Sequence, residues 1–325
     1  MREHTKRKVI FKVFRFNQET DHLPYYLKYE MEVAQDEVIL DILNRIKWEF
    51  DGSFSYRRSC RHGICGSCAI KVNQKPVLSC TENVFNLIDM YGNELVLEPQ
   101  DEKRAVKDMV INKKNFWQKY SKVKPFLVAE INNHPKHENI ISQEEVDLLD
   151  ESDYCIQCGN CFYACPSVKV NDEYLGPAAL LKAFRFNADI RDNAKNERLD
   201  IVNEPGAGVW DCVKCYECAE ACPKDLSPIS KIGKLHNQIF QNNKAINNVA
   251  TRHAVGFKSS IKKHGILDEG ELVRYSEGSI GVLKHLPEAY TMWKKGKIVM
   301  PWNMPKSKNM DEIKKLVEIS STVDF

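Results

Sequence analysis

Two copies of one cysteine pattern constrain the fold of this chain more than any other feature. The pattern is C-x2-C-x2-C-x3-C-P, formed first by Cys155, Cys158, Cys161 and Cys165 and then by Cys212, Cys215, Cys218 and Cys222. It is the spacing of two-cluster iron–sulfur proteins, in which the fourth Cys of one run ligates the cluster of the other run. Thiolates are soft ligands, which such clusters select. The two runs therefore predict one folded unit with two clusters at its core.

A third group of cysteines lies nearer the N-terminus and has a different spacing. A C-x4-C-x2-C run, followed after eleven more residues by a fourth Cys, is formed by Cys60, Cys65, Cys68 and Cys80. This is the plant-type spacing for a [2Fe–2S] cluster, whose potential is tuned by backbone N–H groups that point at the sulfurs. Gly63 and Gly66 suit a loop that needs positive φ and close backbone approach. His62 lies there too, but a Rieske-type site replaces two Cys by two His, and here four Cys are present.

All 12 cysteines fall inside these three groups, and none is left over. A disulfide framework suits small secreted chains rather than a 325-residue protein with a core of its own. Structural zinc is the stronger alternative, because C-x2-C pairs are common zinc ligands. Zinc sites usually pair two such units across a gap, whereas here four Cys crowd into eleven residues and end in Pro, twice. The spacing favours iron–sulfur clusters over both alternatives.

Length, charge and hydropathy exclude several other classes of protein. A chain of 325 residues exceeds the usual size of one domain, so two domains are expected. A formal net charge of +2 gives no reason to expect nucleic acid as a partner. The sequence contains no apolar run of about 20 residues that would span a membrane. The charged residues 1–8 are not followed by the apolar core and cleavage site of a secretory signal, so export would depend on a partner's signal.

The N-terminal part predicts a small β-rich domain with one helix across it. Residues 9–16 are rich in β-forming side chains, and residues 25–33 supply a partner strand. Asp36 is predicted to cap a helix that runs to about residue 50. The buried face of this helix is predicted to consist of Ile39, Ile42, Leu43, Ile46 and Phe50.

The segment 101–150 between the cysteine regions is charged and Lys-rich, without strong strand signals. Residues 107–120 predict a helix that ends before Pro125. His134 and His137 are predicted to be surface residues rather than metal ligands, because no Cys lies near them.

Two further helices are predicted around the second cysteine run. Residues 176–192 predict a helix that starts at Pro177 and packs beside the clusters, and residues 227–243 predict a final helix. Residues 200–210 predict a loop that ends in Trp210. This indole either shields a cluster from water or is an ordinary core residue.

The chain resembles the iron–sulfur subunit of succinate dehydrogenases and fumarate reductases over roughly residues 9–240. The specific phrases are RRSCRHGICGSC at residues 57–68, CPS at 165–167 and LGPAALLKAFRF at 175–186, with VKDM at 106–109 and KVKPF at 122–126 in the joining segment. The resemblance implies an α+β protein. It implies a β-grasp plant-type [2Fe–2S] ferredoxin domain at 1–110 and a helical bacterial-ferredoxin-like domain at 111–241, followed by an extension at 242–325.

The resemblance also implies how the cysteines divide among three clusters. Cys60, Cys65, Cys68 and Cys80 would hold [2Fe–2S], and Cys155, Cys158, Cys161 and Cys222 would hold a [4Fe–4S] cluster. Cys165, Cys212 and Cys218 would hold the third. In common members of the family the middle position of the second run is aliphatic, and the third cluster is [3Fe–4S]. Here that position is Cys215, so a second [4Fe–4S] is favoured over [3Fe–4S].

A second departure from the family concerns the quinone. Common members place a Trp and a His, at the positions of Val170 and Val213, in their quinone pocket, and only the Ser of that region remains, as Ser167. Without the indole and imidazole the pocket lacks groups that orient a quinone headgroup. These features resemble the branch of methylmenaquinol:fumarate reductases, whose membrane partner is a cysteine-rich subunit similar to heterodisulfide reductases.

The function predicted is single-electron transfer between a FAD-bearing flavoprotein subunit and a quinone-linked membrane subunit. No motif for acid–base or nucleophilic catalysis is present, so the chain is predicted to carry no catalytic residue of its own. The complex is predicted to lie on the bacterial inner membrane through its partners, on the cytoplasmic face unless a signal-bearing flavoprotein exports it. The alternatives are the same role in another flavin-dependent complex, such as a thiol-linked fumarate reductase or a hydroxyacid dehydrogenase, and a zinc-bound interaction module.

The extension at 242–325 interleaves lysines with aromatic residues around 287–297 and 301–305. Such a pattern occurs on nucleic-acid and lipid surfaces. Exposed apolar residues in a charged segment more often mark a protein interface, so docking onto a partner subunit is favoured.

Overall fold

The computed structural model describes residues 6–129, 140–242, 244–299 and 303–319. The chain divides into two compact units, Met1–Gly233 and Lys234–Phe325. The predicted surface histidines His134 and His137 lie outside the described residues, as do Pro301 and Trp302 of the second aromatic segment.

A five-stranded mixed sheet forms the first part of the larger unit. Its strands are β1 (Lys6–Arg15), β2 (Tyr25–Ala34), β3 (Ala69–Val72), β4 (Lys75–Leu78) and β5 (Glu94–Glu98). Their order across the sheet is β2-β1-β5-β3-β4. The predicted strand pair is confirmed, since β1 runs antiparallel to β2 in register from Lys6–Ala34 to Arg15–Tyr25. β1 is parallel to β5, while β3 is antiparallel to both β4 and β5.

Helix α1 (Ile39–Arg45) covers this sheet and continues as a wider π-helical turn to Phe50. Ile39, Ile42, Leu43 and Ile46 are fully buried, as their spacing predicts. The prediction for Phe50 is wrong, because its side chain is 51% exposed. A π-helical turn has more residues than an α-turn and therefore rotates later side chains off the buried face. The Asp36 cap is also wrong, since the N-cap is Val38, whose N–H donates to Asp41 Oδ2 at 3.1 Å.

A buried ion pair holds the loop before the first cysteine group against β1. Arg15 Nε donates to Asp108 Oδ1 at 2.9 Å, and the same guanidinium pairs with Asp51. Asp108 also accepts from the Ser55 N–H at 2.8 Å. Its backbone has φ +49 in the turn of a hairpin formed by β6 (Ala105–Lys107) and β7 (Val110–Ile111). The predicted helix therefore does not begin at residue 107.

Short helices build the rest of the larger unit. In chain order they are α2 (Val84–Tyr91), α3 (Lys114–Lys122), α4 (Gln143–Asp147), α5 (Asn160–Ala164), α6 (Pro166–Val170), α7 (Pro177–Ala188), α8 (Lys195–Val202), α9 (Glu217–Glu220) and α10 (Pro228–Gln241), whose last part enters the second unit. The predictions of α7 and α10 are confirmed in substance, although α7 ends at Ala188. The sequence patterns do not predict α2 or α8, and α8 occupies the start of the expected loop at 200–210.

A second buried ion pair anchors the segment that joins the sheet to the helices. Arg198 and Asp192 are both fully buried and paired. The Arg198 guanidinium also donates to the carbonyl oxygens of Val123 and Lys124 at 3.1 Å and of Phe126 at 2.8 Å. An uncompensated guanidinium would be costly in this interior, so the three carbonyls and the carboxylate determine where the segment lies.

The smaller unit consists of α11 (Val249–His264), α12 (Glu269–Lys284), α13 (Leu286–Lys294) and α14 (Met310–Ile319), together with the end of α10. α11 and α12 approach closely at Gly256, where an added Cβ would lie 2.7 Å from Tyr275 Cβ. Within the residues described, no helix is both long and apolar enough to cross a membrane.

Candidate metal centres

The first cysteine group lies in the loop that precedes β3. Backbone N–H groups of His62, Ile64 and Cys65 each lie 3.4 Å from Cys60 Sγ. The Gly63 N–H lies 3.3 Å from Cys80 Sγ. This loop therefore surrounds the sulfurs with donors, which stabilise negative charge on them.

The pKa values of these thiols differ because their surroundings differ. Burial opposes ionisation of Cys65, but hydrogen bonds from Ser67 and from backbone groups outweigh it and lower the pKa of this thiol to about 6. Burial, assisted by the neighbouring Cys68 thiol, raises the pKa of Cys80 to about 11. Four thiolates at such short range repel one another unless a cation lies among them. This donor set therefore fits a cationic iron–sulfur core.

Gly66 brings this loop into contact with the second cysteine group. Gly63 and Gly66 have φ +66 and +68, as the loop was predicted to require. A Cβ on Gly66 would lie 2.7 Å from Cys158 Cα and 2.9 Å from the carbonyl oxygen of Ile156. Only glycine permits this approach of the two loops.

The second group gathers around an apolar cavity that both cysteine runs line. Its four thiols are those of Cys155, Cys158, Cys161 and Cys222. Leu181 of α7 and Leu226 belong to the apolar part of the lining. Burial raises the pKa of Cys158 to about 11, and burial together with the neighbouring thiols raises the pKa of Cys161 still more strongly. In the absence of a cluster, the four thiols would face an apolar cavity that offers them no polar partner. An iron–sulfur cluster would be bonded by all four sulfurs.

The third group lines a separate cavity, again with cysteines from both runs. Its four thiols are those of Cys165, Cys212, Cys215 and Cys218. Burial and the neighbouring thiols raise the pKa of Cys218 to about 12. Burial raises the pKa of Cys212, although hydrogen bonds from the Lys214 backbone and from the Tyr174 hydroxyl to its sulfur oppose this rise. Each run thus contributes its fourth cysteine to the cavity of the other run.

Several residues of these sites give no signal in the sequence. The carbonyl oxygen of Cys158 accepts from Lys113 Nζ at 2.8 Å and from Gln100 Nε2 at 3.2 Å. Neither residue belongs to a cysteine motif, and each reaches the site only through the packing of the sheet against the helices. Trp210 donates its indole N–H to Asn203 Oδ1 at 2.7 Å. Whether it shields a cluster or is an ordinary core residue stays a prediction.

Comparisons with known proteins agree with this arrangement. A 2Fe-2S iron-sulfur cluster binding domain matches residues 10–118, and a 4Fe-4S dicluster domain matches residues 151–226. The chain is 36% identical to the succinate dehydrogenase iron-sulfur subunit of Coxiella burnetii, over 71% of this chain and 97% of that protein. The chain belongs to the iron–sulfur subunits of succinate dehydrogenases and fumarate reductases. It is 34% identical to the fumarate reductase iron-sulfur subunit of Haemophilus influenzae, over 68% of this chain and 89% of that one.

A solved structure supports the fold of this family member. A chain of the Mycobacterium smegmatis Sdh1 complex in the apo form superposes with a TM-score of 0.64 over 73% of this chain and 98% of that one, at 21% identity. The predicted α+β class, with a plant-type ferredoxin domain followed by a helical ferredoxin-like domain, is confirmed. So is the predicted function: the chain is an electron-transfer subunit of a succinate/fumarate oxidoreductase complex.

Proposed function

We propose that the three cysteine groups hold three clusters in series between a FAD-bearing flavoprotein subunit and a quinone-linked membrane subunit. The ligands are Cys60, Cys65, Cys68 and Cys80 for [2Fe–2S]; Cys155, Cys158, Cys161 and Cys222 for [4Fe–4S]; and Cys165, Cys212, Cys215 and Cys218 for a second [4Fe–4S]. The observation that carries this proposal is the exchange of fourth cysteines between the two runs. We place the boundary between the two cluster domains near residue 110.

Bound iron–sulfur clusters supply one-electron redox chemistry at potentials set by their surroundings. The residues of this chain supply those surroundings. The amides of the first loop donate to sulfurs, and the apolar lining of the second cavity excludes water. Gly66 keeps the first loop against Cys158, so that the first two sites are adjacent.

Cys215 supports the assignment of four irons to the third site. The residue is exposed, yet it lines the same cavity as the three other thiols of its group. Cys215→Ile restores the aliphatic residue of common family members and should convert the site to three irons. Low-temperature EPR of the anaerobically purified complex provides the test. A stoichiometric signal of an oxidised three-iron cluster in the wild type would contradict the assignment.

The surface beside the third site supports an unusual route to the quinone. Val170 and Val213 are 87% and 66% exposed and offer no hydrogen-bonding side chain. Ser167 is buried, and its hydroxyl donates to the carbonyl oxygen of Asp211 at 3.0 Å. The quinone would therefore bind on the membrane partner rather than against this subunit. We propose a cysteine-rich, heterodisulfide-reductase-like partner, as in methylmenaquinol:fumarate reductases.

Two other exposed surfaces suit partner subunits. Trp48 and Ile64 project beside the first cysteine group, where Arg58 stacks over the Trp48 ring at 5.1 Å, and we assign this surface to the flavoprotein. In the extension 242–325, Tyr290 and Trp293 of α13 are exposed, which suits a docking segment. The complex would attach to the bacterial inner membrane through its partners, on the cytoplasmic face unless the flavoprotein carries an export signal.

Co-purification with a tagged chain tests this proposal. Anaerobic preparations should contain iron and acid-labile sulfide in quantity, a FAD-bearing subunit active on fumarate or succinate, and a cysteine-rich subunit. Zinc in place of iron would contradict the cluster assignment. A flavoprotein inactive on both substrates would point to another flavin-dependent complex. A membrane partner without cysteine motifs would contradict the proposed relation to methylmenaquinol:fumarate reductases.

A further inference from the structure

Two lysines place positive charge beside the second cysteine group. Lys113 lies immediately before α3, and its ammonium donates to the carbonyl oxygen of Cys158 at 2.8 Å. Lys182 lies in the middle of α7 and is only 7% exposed. Neither lysine has a carboxylate within ion-pair distance among the residues that the structure describes.

Cysteine thiols are among the charged groups that act on both lysines. The Cys158 thiol, the Arg57 guanidinium and the Cys68 thiol act electrostatically on Lys113, whose ammonium is hydrogen-bonded to the Cys158 carbonyl oxygen. The charges of Cys155, Arg185 and Asp153 all affect the pKa of Lys182, with Cys155 contributing the most of the three. Burial lowers the pKa of both lysines, because an ammonium loses hydration in the interior. Such a charge is tolerated where negative charge lies next to it.

We propose that Lys113 is a fixed positive charge that raises the reduction potential of the cluster held by Cys155, Cys158, Cys161 and Cys222. This inference rests on the ligand assignment proposed above. Reduction adds one electron to the site, and a nearby cation stabilises the reduced form more than the oxidised form. Because Lys113 also lies near Cys68, it raises the potential of [2Fe–2S] as well, by less.

The expected consequence is a higher potential of the [4Fe–4S] cluster relative to that of the [2Fe–2S] cluster. The loops that would hold these two clusters are in contact at Gly66 and Cys158. Without Lys113, the [4Fe–4S] cluster would be harder to reduce. Lys113 would thus tune the potential of this cluster next to the contact between the two loops.

Gln100 provides a matched control within the same site. Its amide donates to the same Cys158 carbonyl at 3.2 Å but carries no charge. Lys113→Met removes charge and hydrogen bond at similar side-chain length, and Lys113→Arg keeps the charge. Gln100→Met removes a neutral amide that donates both to the Cys158 carbonyl oxygen and to Asn160 Oδ1. Comparison of the three separates the effect of charge from that of hydrogen bonding.

The test is an anaerobic potentiometric titration of the intact complex, followed by EPR. Lys113→Met should lower the reduction equilibrium constant of the [4Fe–4S] cluster by roughly tenfold, about 59 mV for a one-electron couple. The [2Fe–2S] cluster should shift in the same direction by less. Lys113→Arg and Gln100→Met should leave both potentials close to wild type.

The possible outcomes separate this inference from the proposed function. Unchanged potentials in Lys113→Met with full iron content would overturn the inference and leave the cluster assignment intact. Equal shifts in Lys113→Met and Gln100→Met would also overturn it, because a hydrogen bond would then explain the effect. Absence of [4Fe–4S] iron in the wild type would instead refute the proposed function. Should Lys113→Met lose iron, Lys113→Gln offers a neutral donor at the same position for the same comparison.

Discussion

Gly66→Ala tests whether the contact between the two cluster regions is as tight as the geometry indicates. The substitution adds a methyl group where Cys158 Cα lies 2.7 Å and Cys158 Cβ 2.8 Å away. The nearest atoms include the backbone of Cys158, a proposed ligand, so relief requires that one of the two loops move. The loops would separate, and electron transfer between the first two sites would slow.

The loss of stability expected for Gly66→Ala has two contributions, which a control variant can separate. An alanine at positive φ costs about 1–2 kcal/mol. Overpacking of a close contact costs about 1–3 kcal/mol more. Gly206 has φ +78, and a Cβ added there would meet nothing within 4 Å, so Gly206→Ala measures the backbone contribution with no clash. Gly66→Ala should therefore be less stable than Gly206→Ala by about 1–3 kcal/mol.

Thermal unfolding followed by near-UV circular dichroism, under anaerobic conditions, measures this difference. For a unit of this size each kcal/mol corresponds to roughly 2–4 °C in Tm. Freeze-quench EPR should show slower reduction of the second cluster in Gly66→Ala and an unchanged rate in Gly206→Ala. Equal Tm values for the two variants would refute the claim that the loops are in tight contact.

Two further predictions concern the buried ion pairs of the helical region. Arg198→Met leaves Asp192 as an uncompensated buried carboxylate and should cost about 3–5 kcal/mol. Lys124→Ala, which removes only a partly exposed ion pair, should cost about 1 kcal/mol or less in the same thermal assay. The hydrogen bond from Arg191, opposed by burial, lowers the pKa of Asp189 from 3.8 to about 2. The ionised Asp189 should therefore add about 2 kcal/mol to the free energy of unfolding. This stabilisation is full above about pH 4 and is lost as the pH falls through 2. Asp189→Asn should make the free energy of unfolding less dependent on pH between about 2 and 4. An unchanged pH profile would contradict the lowered pKa of Asp189.

The cysteine spacing predicted which thiols share the second and the third cavity, because the ligands of one cluster recur at short, fixed spacings. Their role as cluster ligands stays a prediction. Residue patterns likewise predicted β1 and β2, in which buried and exposed side chains alternate over part of each strand, and α7, which is buried on almost every side. Prediction failed where tertiary packing decides. The π-helical turn that exposes Phe50 leads directly into Asp51, which pairs with Arg15. The hairpin that replaces the predicted start of a helix at residue 107 has Asp108 in its turn, and Asp108 pairs with the same arginine.

The residues that contact the cysteine groups could not be predicted from the sequence for the same reason. Lys113 and Gln100 meet at the Cys158 carbonyl from separate parts of the chain. In sequence, Lys113 is one of several lysines in a charged segment that favours a solvated surface. Only the folded chain distinguishes it from its neighbour Lys114, which is exposed.

The exchange of fourth cysteines has a consequence for how the protein is made. A chain that has been synthesised only as far as Cys165 contains three thiols of one cavity and one thiol of the other, so neither cavity is complete. Both become complete only when the second run folds back onto the first. With the ligand sets proposed above, cluster loading and folding of this region are coupled events, and a truncated or misfolded chain would lose both clusters together rather than retain one.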